Sequence, residues 1–460
     1  MPPTESKNPA APIKRLRTLL IPDYSQWVLG TMATAIARHN PWMDALVCPA
    51  NVIGTLLFEQ GKLPFEVDAV HIFSEWDAIR LSPHFQGKVP VINAIHHVEK
   101  WEDYRPLLSG DAVQVVSEQW RRFIIEHGAA EDQVVLLPNG IDTAMFCPLP
   151  TASRERLRSS LGIPGGSHAI GMFAKRSSNS TGRKAPHIFV EGVQKLAAEG
   201  LKITAVIVGP GWGDVVKDLE SKGISCVYRP FIPDREGVAR MYQALDTYWV
   251  TSRIEGGPVP LMEAMACGAC CVSTPVGVVP ELLQDGQNGF VVGFDDVDAF
   301  VARTKLLVTD AELRRRMIDA GRQTIVDKIE WKNVAKQAVP LYARAMERFA
   351  GAKGIPVSYD VNQAAALFTE PAAHPRADLP PRLVARLQSL EQYTWFAELL
   401  NMDERAAATR FASRALLGSP LDGELWSIVL RTLLPSKLVG VLRRGRRMVR
   451  PREGVVGTST

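Results

Sequence analysis

The sequence predicts an α/β protein: two doubly wound parallel sheets facing a cleft, with a C-terminal helical appendage. Short, nearly all-apolar runs alternate with longer helical stretches, a Pro- and Gly-rich break divides this alternation, and the pattern restarts after the break. The length of 460 residues, with 46% hydrophobic and 22% charged, suits two domains plus an addition. It excludes a small binding module and a disordered chain.

The first twelve residues, with three prolines in the first nine, lack the basic-then-apolar layout of a secretion signal. No run of eighteen apolar residues follows, so a cytoplasmic chain is expected. Strands are predicted at Leu16 to Ile21, Ala69 to Phe73, Val89 to Ile92, Ala112 to Val116 and Val134 to Leu137. Each is close to continuously apolar, the pattern of a strand buried on both faces. Thr143 to Ser167, rich in Pro, Gly, Ser and Arg, reads as an interdomain linker with room for a short helix.

The second set of strands is Ala169 to Phe173, Ile203 to Val208, Ser225 to Tyr228, Thr247 to Val250 and Cys271 to Ser273. Helical spacing marks Ile188 to Glu199, Arg235 to Ala244, Ala299 to Val308 and Ala311 to Asp327. Another helix, Trp331 to Phe349, is placed to cross back and brace the first half. The expected domains are therefore 13–145, braced by 331–350, then 168–330, then an appendage over 380–450. In that appendage Arg382 to Leu400 and Asp403 to Leu417 form a candidate helical pair.

The formal charge of +4 is concentrated in the tail, where seven basic residues and no acid lie between Lys437 and Arg452. The remainder holds 46 basic against 49 acidic residues, so no nucleic-acid-binding body is expected. The stretch 425–452 instead reads as a partner-docking end or a peripheral contact with an anionic membrane. Six cysteines lack zinc-site spacing and are expected as reduced thiols.

The chemistry-bearing segment runs from Ser252 through Glu255, Gly256, Gly257, Pro258 and Glu263 to Gly268, straight after a predicted strand. A strand ends, a glycine pair turns, and a helix begins near Pro258 to Pro260, where proline suits the first turn. Main-chain N–H groups at such a turn, reinforced by the helix dipole, suit a diphosphate. Carboxylates repel phosphate, so Glu255 and Glu263 are better matched to hydroxyl donors, as on a sugar or a ribose.

With these residues in place the chain resembles the retaining glycosyltransferases of the GT-B fold, in the family with the Glu-x7-Glu signature (glycosyltransferase family 4, glycosyl transferases group 1). Pro138-Asn139-Gly140, Thr274-Pro-Val-Gly277 with Pro280-Glu281, and Asp285-Gly286 with Asn288-Gly289 are similar to further segments of that family, as is Trp331. The resemblance covers residues 16 to 350 and is strongest from Ala169 to Val292. It implies two Rossmann-like domains, an N-terminal one for the acceptor and a C-terminal one for a nucleotide-diphosphate sugar. It further implies a glycan or lipid-linked acceptor, polysaccharide or cell-envelope synthesis, and no required cofactor.

By the same resemblance Glu263 binds the ribose hydroxyls and Glu255 the transferred sugar, while Gly256, Gly257 and Pro258 let the backbone approach sugar and phosphate. The family places an Arg and a Lys on the departing diphosphate. Lys184 matches the lysine, and Lys175, Arg176 and Arg183 all remain candidates for its partner. Gly209 and Gly211 are similar to a nucleotide-side turn, and Pro230 lies in a segment similar to the one that brackets the base. His96, in the pair His96-His97, matches a residue near the sugar. It is expected to orient or polarise, because the departing phosphate itself receives the acceptor's proton.

One segment departs from the family: Ile21-Pro-Asp23-Tyr24-Ser25 lacks the usual glycine pair, and Trp27 reads as loop packing before sugar stacking. No Asp-x-Asp pair stands at a strand end near the cleft, so metal-free chemistry is expected. A non-catalytic nucleotide-sugar-binding scaffold is the alternative function. A dinucleotide oxidoreductase would need Gly-x-Gly-x-x-Gly after the first strand, which is missing.

Overall fold

The computed structural model describes residues 14–25, 27–176, 181–232, 234–368 and 379–401. Six strands, β1 (Leu16–Ile21), β2 (Met43–Val47), β3 (Ala69–Ile72), β4 (Val91–Ile95), β5 (Ala112–Val115) and β6 (Val134–Leu136), form the first sheet. Its order is β2-β1-β3-β4-β5-β6, and every pairing is parallel. The second sheet contains β7 (His168–Phe173), β8 (Ile203–Val208), β9 (Ser225–Arg229), β10 (Thr247–Val250), β11 (Cys270–Ser273) and β12 (Phe290–Val291). Its order is β12-β11-β10-β7-β8-β9, again parallel throughout.

The interior strands β1, β3, β4, β5, β7, β8 and β10 are almost wholly buried, because helices cover both faces of each sheet. Two edge strands, β2 and β12, were not expected. Half of an edge strand meets solvent or a loop, so β2 carries Asp44 and β12 has only two residues, and neither shows a long apolar run. The run Val89 to Ile92 shifts to β4, since Val89 still closes the preceding helix with an N–H to the Phe85 carbonyl at 3.2 Å. The strand extends across Asn93, whose side chain is satisfied by Ser82 at 2.7 Å and the Leu107 carbonyl at 2.9 Å.

The helix anticipated over Trp331 to Phe349 is broken into Trp331–Val334, a 3-10 turn Ala335–Gln337, and Ala338–Lys353. Pro340 falls in the first turn of the last piece, where a missing N–H leaves no hydrogen bond unmade. This piece packs on β4 and β5 of the first sheet. Tyr342 meets His71 Nδ1 at 3.0 Å in the core, and Arg348 reaches Asp132 at 2.8 Å. The linker contains the helix Thr151–Leu161, ended by Gly162 at φ 83°.

Residues through Asp378 form one compact unit that contains both sheets, and a second unit begins at Leu379. Of the expected appendage, the helix Pro381–Asn401 is described. Residue 13, the helix Asp403 to Leu417 and the basic stretch 425–452 lie outside the described residues. No described helix is long and apolar enough to cross a membrane. All six cysteines are free thiols.

Candidate active site between the two sheets

In both sheets the expected site residues sit just past the carboxyl ends of strands, where loops turn into helices. His96 follows β4, Lys175 and Arg176 follow β7, Gly209 follows β8, Pro230 follows β9, and Ser252 to Pro258 follow β10. The strand β10 delivers Glu255 into a buried position, and Pro258 caps the helix Val259–Ala266 that carries Glu263.

Glu255 is surrounded by positive charge. Its Oε1 is hydrogen-bonded to the Lys184 ammonium and accepts from Ser252 Oγ at 2.8 Å, while Arg183 stands 3.9 Å from Oε2. Burial alone would raise its pKa. The Lys184 and Arg183 charges outweigh that and hold it below the usual carboxylate range. Arg183 continues to the first sheet, 3.3 Å from Glu99 Oε1 and 3.3 Å from His97 Nε2. Lys184, Arg183 and Glu255 thus form one ionic group that spans both sheet ends.

Glycine is required where the two halves touch. A Cβ on Gly256 would lie 1.9 Å from the His96 carbonyl oxygen, which no backbone shift short of separating the sheets relieves. A Cβ on Gly257, by contrast, would meet only side chains, the Asn139 amide at 3.1 Å being the nearest. Asn139 Nδ2 donates to the Gly257 carbonyl at 3.4 Å, and its buried Oδ1 has no protein partner.

His96 follows β4 and its backbone abuts Gly256. Its Nε2 is spent on the Phe73 carbonyl at 2.9 Å, and its N–H on Glu75 Oε1 at 2.7 Å. His97 joins the ionic group instead, and burial lowers its pKa despite the opposing pull of Glu75. Adjacent residues past a strand end face opposite ways, and composition alone does not tell which one points inward.

Arg176 is likewise committed elsewhere, to Asp214 at 2.8 Å and the Gly211 carbonyl at 2.9 Å. Gly209 at φ 122° and Gly211 at φ 90° pack their backbone against that loop: their Cβ atoms would lie 2.4 Å from the Ala174 oxygen and 2.0 Å from the Arg176 oxygen. These glycines shape the Lys175-Arg176 turn. Pro230 is half-buried beside Ile232, which packs on the core. Trp27 precedes the helix Val28–His39, its ring 4.7 Å from Tyr24.

Glu263 is buried in a different setting. It pairs with Arg235, and the buried Tyr242 lies beside it. Arg235 in turn lies over the Phe146 ring at 4.9 Å. Burial raises the Glu263 pKa more than Arg235 and Tyr242 lower it. Arg235 was missed from the sequence, because nothing distinguishes it from other arginines on helix faces until the fold brings residues 235 and 263 together. Beside this pair a cavity of about 80 Å³ is lined by Thr31, Asn139, Asp142, Phe146, Arg235 and Trp331. A larger depression of about 620 Å³ opens at the opposite, starting end of the second sheet, where Arg154 and Arg158 hold Asp246. It is remote from strand carboxyl ends and from every residue above.

Known proteins share this fold. Residues 154–324 match the family model described as glycosyl transferases group 1. That stretch of the chain is therefore similar to a glycosyl transferases group 1 domain. Over 339 residues it is 26% identical to the alpha-maltose-1-phosphate synthase of Mycolicibacterium smegmatis, covering 71% of this chain and 83% of that enzyme. Among solved structures, HepE of Anabaena in complex with UDP-glucose superimposes with a TM-score of 0.56 at 20% identity, over 70% of this chain and 97% of that one. Sucrose-phosphate synthase of Thermosynechococcus elongatus gives a TM-score of 0.56 at 14% identity, over 71% and 98%. The fold of the two sheets is therefore that of GT-B structures, and curated relatives include glycosyltransferases, among them the D-inositol 3-phosphate glycosyltransferase of Corynebacterium urealyticum at 27% identity over 46% of this chain and 51% of that enzyme.

Proposed function

We propose that this chain is a retaining glycosyltransferase that moves a sugar from a nucleotide-diphosphate donor to a glycan or lipid-linked acceptor. The observation that carries the reading is the ionic group of buried Glu255 with half-buried Lys184 and Arg183 at the facing carboxyl ends of the two sheets. Glu255 accepts from the sugar hydroxyls, and Glu263, released from Arg235, accepts from the ribose. The C1–O bond to the diphosphate breaks while a bond from the acceptor oxygen to C1 forms on the same face. The acceptor's proton passes to the departing phosphate oxygen. Lys184 has three N–H donors, so it holds Glu255 and still meets the charge developing on the leaving group. Arg183 is its partner in this reading, and His97 rather than His96 faces the reacting sugar. No metal is assigned a step.

The basic stretch 425–452 would bring the enzyme to an anionic membrane surface where a lipid-linked acceptor resides. UDP-glucose is the first donor to try, because HepE is solved with it. The test is to incubate the full chain with a panel of nucleotide sugars and follow nucleoside diphosphate release, then read the product's anomeric configuration by NMR. Release with a retained anomer upholds the reading. Tight binding of a nucleotide sugar without any turnover would leave the scaffold function instead.

A further inference from the structure

Three consecutive residues of the first domain reach into the second domain's site. At the start of the helix Glu118–Glu126, the Glu118 N–H donates to Glu281 Oε1 at 2.8 Å. Gln119 Oε1 accepts the Gly277 N–H at 2.7 Å. Trp120 Nε1 donates to the main-chain carbonyl of Glu255 at 2.7 Å. The loops they grip, after β10 and after β11, are themselves joined by the Val278 N–H to the Gly256 carbonyl at 2.9 Å. There is no slack between them: a Cβ on Gly277 would lie 1.7 Å from the Gly256 oxygen.

Helix starts leave N–H groups unpaired, and Ser117, the local cap, reaches the Trp120 N–H only at 3.5 Å. The Glu281 carboxylate completes that cap from the other domain and sits at the positive end of the helix. The indole of Trp120 is buried, so while the domains are together its N–H is satisfied by the Glu255 carbonyl rather than by water.

We propose that Trp120 is a positioning residue for Glu255, and that with Glu118 and Gln119 it forms a latch that orders the loop Ser252 to Pro258 only while the two domains are together. This rests on the glycosyltransfer reading for its catalytic consequence, though not for the latch itself. Holding the Glu255 main chain from the acceptor side ties the placement of its carboxylate to domain contact, and small misplacements of such a group lower rates steeply.

The test uses the full chain with Trp120→Phe, which keeps the ring and removes the donor, and Gln119→Ala, whose side chain is exposed and whose loss spares the core. Amide hydrogen exchange is followed by mass spectrometry over 252–258 and 274–282, with β8 as the internal reference. UDP-glucose hydrolysis and UDP binding are measured alongside. Trp120→Phe is expected to speed exchange over 252–258 about tenfold and to lower kcat about tenfold, with UDP affinity unchanged. Gln119→Ala speeds exchange over 274–282 in the same direction. Wild-type exchange over 252–258 in Trp120→Phe overturns the latch, as does loosening spread equally to β8 with UDP affinity and kcat falling together. If the wild type does not hydrolyse UDP-glucose while exchange responds as described, the latch stands and the donor assignment fails.

Discussion

Glu255 and Glu263 flank the same glycine turn and are both buried, yet they live in opposite electrostatic settings. Glu255 lies where the sheets face each other, against Lys184, Arg183 and Ser252, and is held ionised below the usual range. Glu263 lies inside the second domain among Arg235, Tyr242 and Phe146, and burial pushes its pKa up. Burial penalises both charges, and only the number and reach of the cations decides the sign. In the proposed glycosyl transfer, the first carboxylate remains charged beside a sugar that develops positive character, and the second faces a neutral ribose.

The largest expected effect breaks the Glu255 side of this contrast. Lys184→Ala removes the carboxylate's partner and, in the proposed reading, the donor to the departing diphosphate, and should lower nucleotide-sugar turnover about 10²-fold or more. Steady-state diphosphate release checks it, with an unchanged circular dichroism spectrum as the folding control. Turnover at the wild-type level would mean the leaving group is stabilised elsewhere.

Glu263→Ala attacks the other side and should act on binding: UDP affinity falls about tenfold by calorimetry, the scale of lost charge-assisted hydrogen bonds. Unchanged affinity would remove Glu263 from the ribose. The variant also strands Arg235, which is only partly exposed, so a lower melting temperature accompanies the loss.

The pKa directions give a sharper comparison with opposite slopes. Glu255 has a depressed folded pKa, so its pairing stabilises the protein above the ordinary carboxylate pKa and is lost as pH falls through the lower folded value. The melting-temperature gap between wild type and Glu255→Gln should therefore widen as pH rises toward about 4.5, then level. Glu263 has a raised folded pKa, so the folded state holds its proton longer and stability declines as pH rises from the ordinary value through the folded one. The gap between wild type and Glu263→Gln should narrow over that window. Parallel slopes in thermal melts between pH 3.5 and 7 would contradict the assigned environments.

Much of this contrast was legible in the sequence, and the rest was not for definite reasons. The interior strands announce themselves because both of their faces are buried, and the edge strands β6 and β9 keep short apolar runs, whereas the edge strands β2, which carries Asp44, and β12, of two residues, do not. The spacing of Glu255 and Glu263, and the glycines between them, marks the turn without any structure. Lys184 is singled out only through the family resemblance, and Arg235 not at all, because they lie 71 and 28 positions from the carboxylates they meet. The same holds for His96 against His97, where one residue's shift decides which ring meets Arg183, and for Trp120, which reads as an ordinary apolar helix residue.

The smallest effect concerns the cation that the fold sends elsewhere. Arg176 pairs with Asp214, itself 68% exposed, and a solvent-exposed pair of this kind contributes about 0–1 kcal/mol. Its loop does not depend on that side chain: the Arg176 main chain is fixed by its N–H to the Pro210 carbonyl at 3.0 Å and by the close approach of Gly211. Arg176→Ala should shift the melting temperature by no more than about 2 °C and leave the Glu255 environment in place. Arg183→Ala should do more, since it severs Glu255 from Glu99 and His97 of the first domain. Measured side by side for diphosphate release, the two variants rank the candidates for Lys184's partner. A larger fall in turnover for Arg176→Ala than for Arg183→Ala would transfer the diphosphate role to Arg176, and would require its guanidinium to leave Asp214 when the donor binds.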